Sequence, residues 1–420
     1  MVRRLITLSL RNRWIVLILS AGIFAWGVYS VRQNPVDAIP DISENQVIVL
    51  TEWMGRSPQV IEDQVTYPLV SNLQNIPRIK NVRGTSMFGM SFVYVVFEDN
   101  VDIYWARTRV LERLNSAQKL LPEDVTPTLG PDGTGVGHVF WYTLDAPGYD
   151  LGELRALQDW YVRYGLQTVK GVSEVASFGG FQKQYQINID PHKLNYYKIP
   201  LQDVLKSVKS NNNDVSGRKF EMNDMGYIVR GLGYIKNIED VENMPVGKDG
   251  TTAILVKDIA SVQMGGDLRL GIFDENGLGE VVGGIIVMRY GENADEVIKR
   301  VKIKLADVEK GMPVGVKFKV AYDRSELIEA SIHSVKKTII EEIIVVSIIV
   351  LLFLFHWRSA FIIIIQIPVS IAASFILLQL FGISSNIMSI TGIALAIGVV
   401  VDDGIMMVEN AYRHLADSQK

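Results

Sequence analysis

An uncharged stretch of 43 residues ends at a pair of aspartates, and this feature constrains the fold of the chain more than any other. The stretch runs from Ser359 to Val401, and Asp402, Asp403 and Glu409 follow it. A helix needs about 20 apolar residues to cross a bilayer, so the stretch is long enough for two such helices. Carboxylates at membrane depth are costly and usually face a bundle interior, where they move protons or ions. The feature therefore points to a membrane transporter rather than a soluble enzyme.

The apolar segments are confined to the two ends of the chain. Hydrophobic residues make up 48% of the 420 residues, yet 21% are charged. The region between Arg32 and Glu342 is ordinary globular sequence, enough for two domains. The net charge of −4 gives no support for a nucleic-acid partner. Because the chain has no cysteine, disulfides and thiolate metal sites within it are excluded, and its 13 methionines are the only soft sulfur ligands.

Four helices are predicted to cross the lipid bilayer. The first is Trp14–Val31, an uncharged run behind an arginine-rich flank, and such flanks stay in the cytoplasm. The second is about Ile343–Trp357, the third about Ala360–Leu380 and the fourth about Ile387–Tyr412. This topology leaves both termini in the cytoplasm and the long insert between the first two helices outside.

The insert contains an internal repeat. Ile79 falls on Val172 after a shift of 93 residues, and the same shift places Phe92–Val96 on Tyr185–Ile189. Each pair of strands follows a predicted helix, and the strands alternate as half-buried strands do. The first copy reads βαββαβ, a ferredoxin-like sandwich. The second copy has a β-rich segment inserted at roughly 179–267 before its return helix.

Motifs along the whole chain resemble one family. In order they read NPVDAIPDISENQVIV, QVTYPL, VRGTSMFG, YVVFED, YWARTRVLERLN, LGPDGTGVG, LRALQDWYVRY, AYDRS and VVVDDGIMMVEN. Their order and spacing are similar to the N-terminal half of a resistance–nodulation–division (RND) pump of the heavy-metal efflux branch, especially its copper and silver exporters. The resemblance implies a homotrimer in the bacterial inner membrane, with twelve helices per subunit. It also implies proton-driven export through a periplasmic adaptor (a membrane fusion protein) and an outer-membrane channel, with a transported metal ion and no permanently bound cofactor.

The expected fold class is an α+β integral membrane protein, in which transmembrane helices carry two ferredoxin-like porter subdomains and an inserted docking subdomain. The expected boundaries are 1–32 for the cytoplasmic flank and first helix, 33–129 for the first porter subdomain, 130–178 and 268–335 for the second, 179–267 for the docking subdomain, 336–357, 358–381 and 382–413 for the other helices, and 414–420 for a cytoplasmic end. The family's second half repeats the first. The chain is therefore expected to be a fragment or truncated product that does not transport alone.

Three carboxylates are the expected proton relay. Asp402 matches the relay aspartate of the copper pumps, while Asp403 matches an alanine in those pumps and the second aspartate of an Asp-Asp pair in multidrug relatives. Asp402 and Glu409 are seven residues apart and share a helix face, and Asp403 lies about 100° round. Adjacent carboxylates in a low dielectric need not both ionise, which suits a proton carrier. The alternative is that one aspartate is structural, capped by hydroxyls or a lysine.

Four methionines are the candidate transient metal ligands. Met388 and Met407 match positions of the methionine path that the resemblance implies for Cu(I) and Ag(I). Val400 and Leu268 stand at two further positions where the copper pumps have methionine, and Met406 and Met264 are weaker candidates to replace them. Thioethers are soft, neutral ligands that suit these ions. The alternative is packing, which is the common role of methionine at helical spacing.

The choice of ion and of function class rests on further residues. Divalent-metal pumps of the family carry an aspartate six residues before the relay aspartate, and Ala396 stands there in this chain. This favours a monovalent ion. A multidrug exporter half, a zinc, cobalt or nickel exporter and a non-transporting fragment remain as alternatives. No nucleophile–base arrangement is present in the sequence, so no enzyme is predicted.

Overall fold

The computed structural model describes residues 2–222, 225–249, 251–269, 271–354 and 357–417. The α-helices of these ranges are α1 (Val2–Arg11), α2 (Arg13–Gln33), α3 (Pro58–Ile61), α4 (Tyr67–Leu73), α5 (Ile103–Ala117), α6 (Leu151–Leu157), α7 (Arg163–Gln167), α8 (Pro191–Tyr197), α9 (Leu201–Asn211), α10 (Ile238–Glu242), α11 (Val256–Ile259), α12 (Ala294–Lys310), α13 (Arg324–Leu354), α14 (Trp357–Leu380) and α15 (Ile387–Asp417). A π-helical turn, Glu62–Thr66, joins α3 to α4, and another, Gln158–Val162, joins α6 to α7. The two helices predicted before the strand pairs are therefore continuous helical segments.

The strands are β1 (Gln46–Glu52), β2 (Ile79–Met87), β3 (Met90–Phe97), β4 (Pro127–Leu129), β5 (Gly133–Asp145), β6 (Val172–Phe178), β7 (Lys183–Ile189), β8 (Val215–Met222), β9 (Met225–Gly231), β10 (Pro245–Asp249), β11 (Thr252–Leu255), β12 (Ala260–Gly266), β13 (Val282–Arg289) and β14 (Lys317–Asp323). They form two four-stranded sheets and three two-stranded ones.

The first four-stranded sheet has the order β2-β3-β1-β4, with antiparallel neighbours. A βαββαβ chain gives this order when both helical segments cover one face of its sheet. Alternate residues of β3, such as Val93 and Val95, are fully buried in a core that also contains Leu69 of α4 and Val110 of α5. The intervening residues of β3 therefore lie on the face that the helices leave open.

The second four-stranded sheet has the order β14-β5-β13-β6, which repeats the pattern of the first. The prediction that Tyr185–Ile189 supplies its third strand is wrong. Those residues belong to β7, which pairs with β12 in a separate sheet, and β13 takes the central position instead. The chain leaves β6 through Gly179 and Gly180, both with positive φ, a conformation glycine adopts readily. Seven successive residues of β13 are buried, as expected for a strand covered on both faces.

The chain divides into two compact units. Unit 1 contains Met1–Thr143, Val162–Ala176 and Gly284–Lys420, and unit 2 contains Leu144–Tyr161 and Ser177–Gly283. Unit 2 has its own small core, built from buried residues that include Val204, Ile254 and Ile259, and it carries a β8–β9 hairpin.

Four helices of unit 1, α2, α13, α14 and α15, contain most of the residues predicted to cross the membrane. Within the described ranges, two helices are long and apolar enough to cross a membrane, Arg13–Gln33 and Ile387–Ala411, and Ile364–Leu380 is a shorter apolar helix. Helix α13 begins at Arg324, well before the segment from about Ile343 that is predicted to cross the membrane. The intervening sequence contains neither glycine nor proline, so nothing in it interrupts the helix.

Candidate functional site

Helix α15 packs one face against two other helices of unit 1. Its residues Ile397 and Val401 form a buried apolar cluster with Val350 of α13 and Ile367 of α14. These contacts fix the rotation of α15 about its axis. They therefore decide which of its residues the described helices leave uncovered.

The predicted relay aspartates lie on the uncovered side of α15. Asp402 and Asp403 are both exposed, and neither has a hydrogen-bond or ion-pair partner among the residues that the structure describes. Exposed Leu395 and Val399 precede Asp402 on the same face at helical spacing. The carboxylate of Asp402 thus stands in an apolar stripe, a surface that is costly to leave against lipid.

Glu409 has a different environment from the two aspartates. Its Oε1 accepts a hydrogen bond of 2.6 Å from Nη2 of Arg413, one helical turn further on. Both side chains are more than half exposed, so this is a surface ion pair of the kind that contributes little to stability.

The predicted metal ligands fall in both units. Met388, Met406 and Met407 are exposed residues of α15 in unit 1. With about 100° per residue, Met406 lines up with Met388 along the helix, whereas Met407 is turned by about 100°. Met264 is an exposed residue of β12 in unit 2, opposite Tyr185 of β7. No group of three or more His, Asp or Glu side chains with metal-binding geometry occurs within the described ranges.

Two loops pair next to the start of α15, a contact that the sequence did not reveal. We call residues 34–38 and 383–387 together the clasp. Ser385 donates its backbone N–H to the Pro35 carbonyl at 2.9 Å and accepts from the Asp37 N–H at 3.1 Å. The buried Asn34 donates its amide to the Ser385 hydroxyl at 2.9 Å and to the Ile383 carbonyl at 3.1 Å. The segment that follows α2 is thereby hydrogen-bonded to the turn that precedes α15.

A buried ion pair joins the clasp to the start of α13. Nη2 of Arg324 lies 2.9 Å from Oδ1 of Asp37, and its Nη1 donates to the carbonyl of Val136 on β5. Arg324 is only 3% exposed. No signal in the sequence identified Asp37 as the partner of Arg324.

Burial dominates the electrostatics of this pair. It raises the pKa of Asp37, although the charge of Arg324 and backbone hydrogen bonds from Ala38 and Ile39 oppose the shift. The neighbouring Asp323 behaves differently. Burial also acts to raise its pKa, but hydrogen bonds from Lys302 and Ser325 outweigh it, and the pKa lies below its ordinary value. Asp37 is therefore the carboxylate of this junction for which ionisation is least favourable.

The chain matches the sequence model of the AcrB/AcrD/AcrF family over residues 5–420. It is 44% identical over 421 residues to the putative cation efflux system protein SilA of Salmonella typhimurium, covering 99% of this chain and 40% of that protein. It is 43% identical to the cation efflux system protein CusA of Escherichia coli, and 36% identical to the cobalt-zinc-cadmium resistance protein CzcA of Cupriavidus metallidurans. In both cases the match covers 100% of this chain and 40% of the relative.

The fold of the chain also matches that of a solved structure. The crystal structure of a heavy metal efflux pump superimposes with a TM-score of 0.85 at 34% sequence identity, covering 98% of this chain and 41% of that chain. The chain thus spans about two fifths of the length of the relatives it matches.

Proposed function

The chain belongs to the AcrB/AcrD/AcrF family, and from this premise we propose that it is the N-terminal half of a proton-driven RND pump that exports Cu(I) or Ag(I) from the periplasm and cytoplasm. Its relatives are efflux proteins rather than enzymes, in agreement with the sequence prediction. The names of the relatives, which are cation efflux proteins, and the solved heavy metal efflux pump support assignment to the family's heavy-metal branch.

The observation that carries the proposal is the position of Asp402 on α15. An aspartate in an apolar stripe, beside a second carboxylate and without a partner in the described residues, can gain and lose a proton as its surroundings change. The uncovered stripe needs a complementary surface. In our proposal the second half of the pump supplies it, together with the basic and acidic groups that complete the relay.

The preference for a monovalent soft ion rests on the ligands available. Exposed thioethers at Met388, Met406 and Met407 suit Cu(I) and Ag(I), whereas divalent zinc or cobalt prefers imidazole, thiolate or carboxylate ligands. Ala396 stands where a divalent-metal pump would carry a further aspartate.

The working assembly is proposed from the family. The pump would be a homotrimer in the bacterial inner membrane, with four crossings in this half and the large insert in the periplasm. A periplasmic adaptor and an outer-membrane channel would complete the export route. Reporter fusions at Asp249 and Arg358 test the topology, because the first should report a periplasmic and the second a cytoplasmic position.

The proton relay can be tested in the complete pump by Asp402→Asn. The amide keeps the shape and hydrogen-bonding capacity of the side chain but cannot titrate near neutral pH. We expect loss of copper and silver tolerance at unchanged membrane abundance. Glu409→Gln tests whether the third carboxylate of the predicted relay takes part. Because Glu409 already has Arg413 as a partner, we expect a smaller loss of tolerance than in Asp402→Asn. Full tolerance in Asp402→Asn would refute the relay assignment.

The same cells decide between a monovalent and a divalent cargo. The parent pump should raise tolerance to copper and silver and leave tolerance to zinc and cobalt unchanged. Tolerance to zinc or cobalt alone would support the divalent alternative, to which the 36% identity with CzcA is the relevant similarity.

A further inference from the structure

Three methionines lie at or beside the turn between β2 and β3, at one end of the first four-stranded sheet. Met87 and Met90 are directly opposite each other on β2 and β3, across the two-residue turn Phe88–Gly89. Opposed residues of an antiparallel pair project from the same face, with Cβ atoms about 4.5–5.5 Å apart. Met90 alternates with the buried Ser91, which belongs to the helix-covered side. Both thioethers therefore project from the open face of the sheet.

A third thioether is held against this turn by the loop that follows β1. The Trp53 N–H donates to the Gly89 carbonyl at 2.8 Å, and the Gly89 N–H donates to the Arg56 carbonyl at 3.0 Å. Met54 lies in the chain between the two residues that make these hydrogen bonds, and its sulfur would be 3.0 Å from a Cβ placed on Gly89. Gly89 also has a φ of +71°. Its lack of a side chain thus lets the sulfur of Met54 approach the turn that separates the other two methionines.

The exposure of these side chains argues against a packing role. Met54 is 47% and Met87 52% exposed, and Met90 is only partly buried, whereas methionines that fill core gaps are enclosed. Methionine has three rotatable side-chain bonds, so three sulfurs anchored at one turn can converge on a common ion. Glu52 of β1, opposite Met90 in the register and exposed, places a carboxylate at the edge of the cluster.

We propose that Met54, Met87 and Met90 form a binding site for a soft monovalent cation, Cu(I) or Ag(I). Three neutral thioethers match the softness of these ions, and the carboxylate of Glu52 offsets the positive charge that neutral ligands leave. Binding is a property of these side chains alone. The role of the site, an external loading point for the exported ion, rests on the proposed function.

The test is a titration of the whole chain in detergent with Ag(I), observed through methionines labelled with ¹³C at the methyl group. Single Met→Leu variants, which keep the apolar volume, assign the signals. The first equivalent of Ag(I) should shift the methyl signals of Met54, Met87 and Met90 together. Met54→Leu should lose this first step, and its other methyl signals report whether the fold is intact.

The β8–β9 hairpin offers a matched control. Met222 and Met225 are also directly opposite each other in the register of their strands and are 54% and 58% exposed, but they belong to a separate two-stranded sheet. The variant Met222→Leu/Met225→Leu should keep the first Ag(I) step. A first step that moves Met222 and Met225 instead, or a Met54→Leu titration identical to the parent, would overturn the proposal. An equal response to Zn(II) would overturn its selectivity for soft ions.

The assay separates this inference from the proposed function, because it requires no transport. If Ag(I) binds at the cluster and the complete pump confers no copper or silver tolerance, the site stands and its loading role falls. If the pump confers copper or silver tolerance and the cluster does not bind Ag(I), the proposed function stands and the binding site falls.

Discussion

Removing one partner of the buried Asp37–Arg324 pair should strongly destabilise the chain. Arg324→Met leaves the carboxylate of Asp37 buried without its counterion and leaves the Val136 carbonyl without the donor that Arg324 supplies. Breaking a buried ion pair in this way typically costs about 3–5 kcal/mol. The expected result is a decrease of that size in the free energy of unfolding, measured by denaturant titration of the chain in detergent.

The origin of this cost can be separated from loss of side-chain packing. In the double variant Asp37→Asn/Arg324→Met no buried charge remains, and replacing both partners of a buried pair is often nearly neutral. The double variant should therefore be more stable than Arg324→Met alone. A loss equal to the sum of the two single losses would show that the residues act independently and would refute the ion-pair argument. Arg83→Met is a control, because its pair with Glu44 is about half exposed and should contribute about 0–1 kcal/mol.

The pH dependence of the loss gives a second check. Burial raises the pKa of Asp37, and Arg324 is the first of the influences that oppose it. A carboxyl with a raised pKa in the folded state destabilises the fold when ionised, and this cost is relieved as the pH falls through the folded-state pKa. Without Arg324 that pKa should rise further. The loss caused by Arg324→Met should thus be smaller at about pH 5 than at about pH 7.

Two more substitutions test the packing and electrostatics of unit 1. Gly27→Ala should destabilise the contact of α2 with α14 by about 1–3 kcal/mol, because its Cβ would lie 2.4 Å from the carbonyl oxygen of Ala372. The control Gly22→Ala should be tolerated, because a Cβ there meets nothing within 4 Å. Thermal unfolding of the two variants and the parent measures the difference. Asp132→Asn should reduce the acid sensitivity of stability. Burial acts to raise the pKa of Asp132, but hydrogen bonds from Ser173 and Tyr104 outweigh it, and the pKa lies below its ordinary value. The parent alone should therefore lose this contribution to stability as the pH falls through the lowered pKa.

The sequence predicted local structure better than the pairing of strands. The alternation of SFVYVVFED predicted a half-buried strand, and β3 has that pattern of burial. The same reasoning placed β7 in the second large sheet, where β13 lies instead. Periodicity reports the two faces of a strand but contains no information about which partner it pairs with, and the segment between β6 and β13 is long. The uninterrupted apolar run of β13 was the available signal for a central strand.

In the candidate site, too, local features could be predicted from the sequence and tertiary contacts could not. The charge pattern located Asp402 and Asp403 on an apolar helix, because membrane-depth carboxylates stand out in any sequence. The pair Asp37–Arg324 did not stand out, because its members are far apart in the chain and each looks like an ordinary charged loop residue. The methionine cluster also depends on tertiary structure, since Met54 reaches Gly89 only through the backbone bonds of Trp53 and Gly89.

The clasp places α15, the helix that carries the proposed relay aspartates, in direct contact with the segment that follows α2. Asn386 accepts a hydrogen bond from the Ser389 N–H at 3.0 Å at the start of α15, and Asp402 follows about 22 Å further along the helix at 1.5 Å per residue. A helix of this length transmits a displacement along its axis with little change in its own length. If Asp402 is the proton carrier that we propose, a shift of α15 on protonation must either break the hydrogen bonds of Ser385 or move residues 34–38 with it. Movement of residues 34–38 would strain the ion pair between Asp37 and Arg324, which stands at the first residue of α13 and directly after β14.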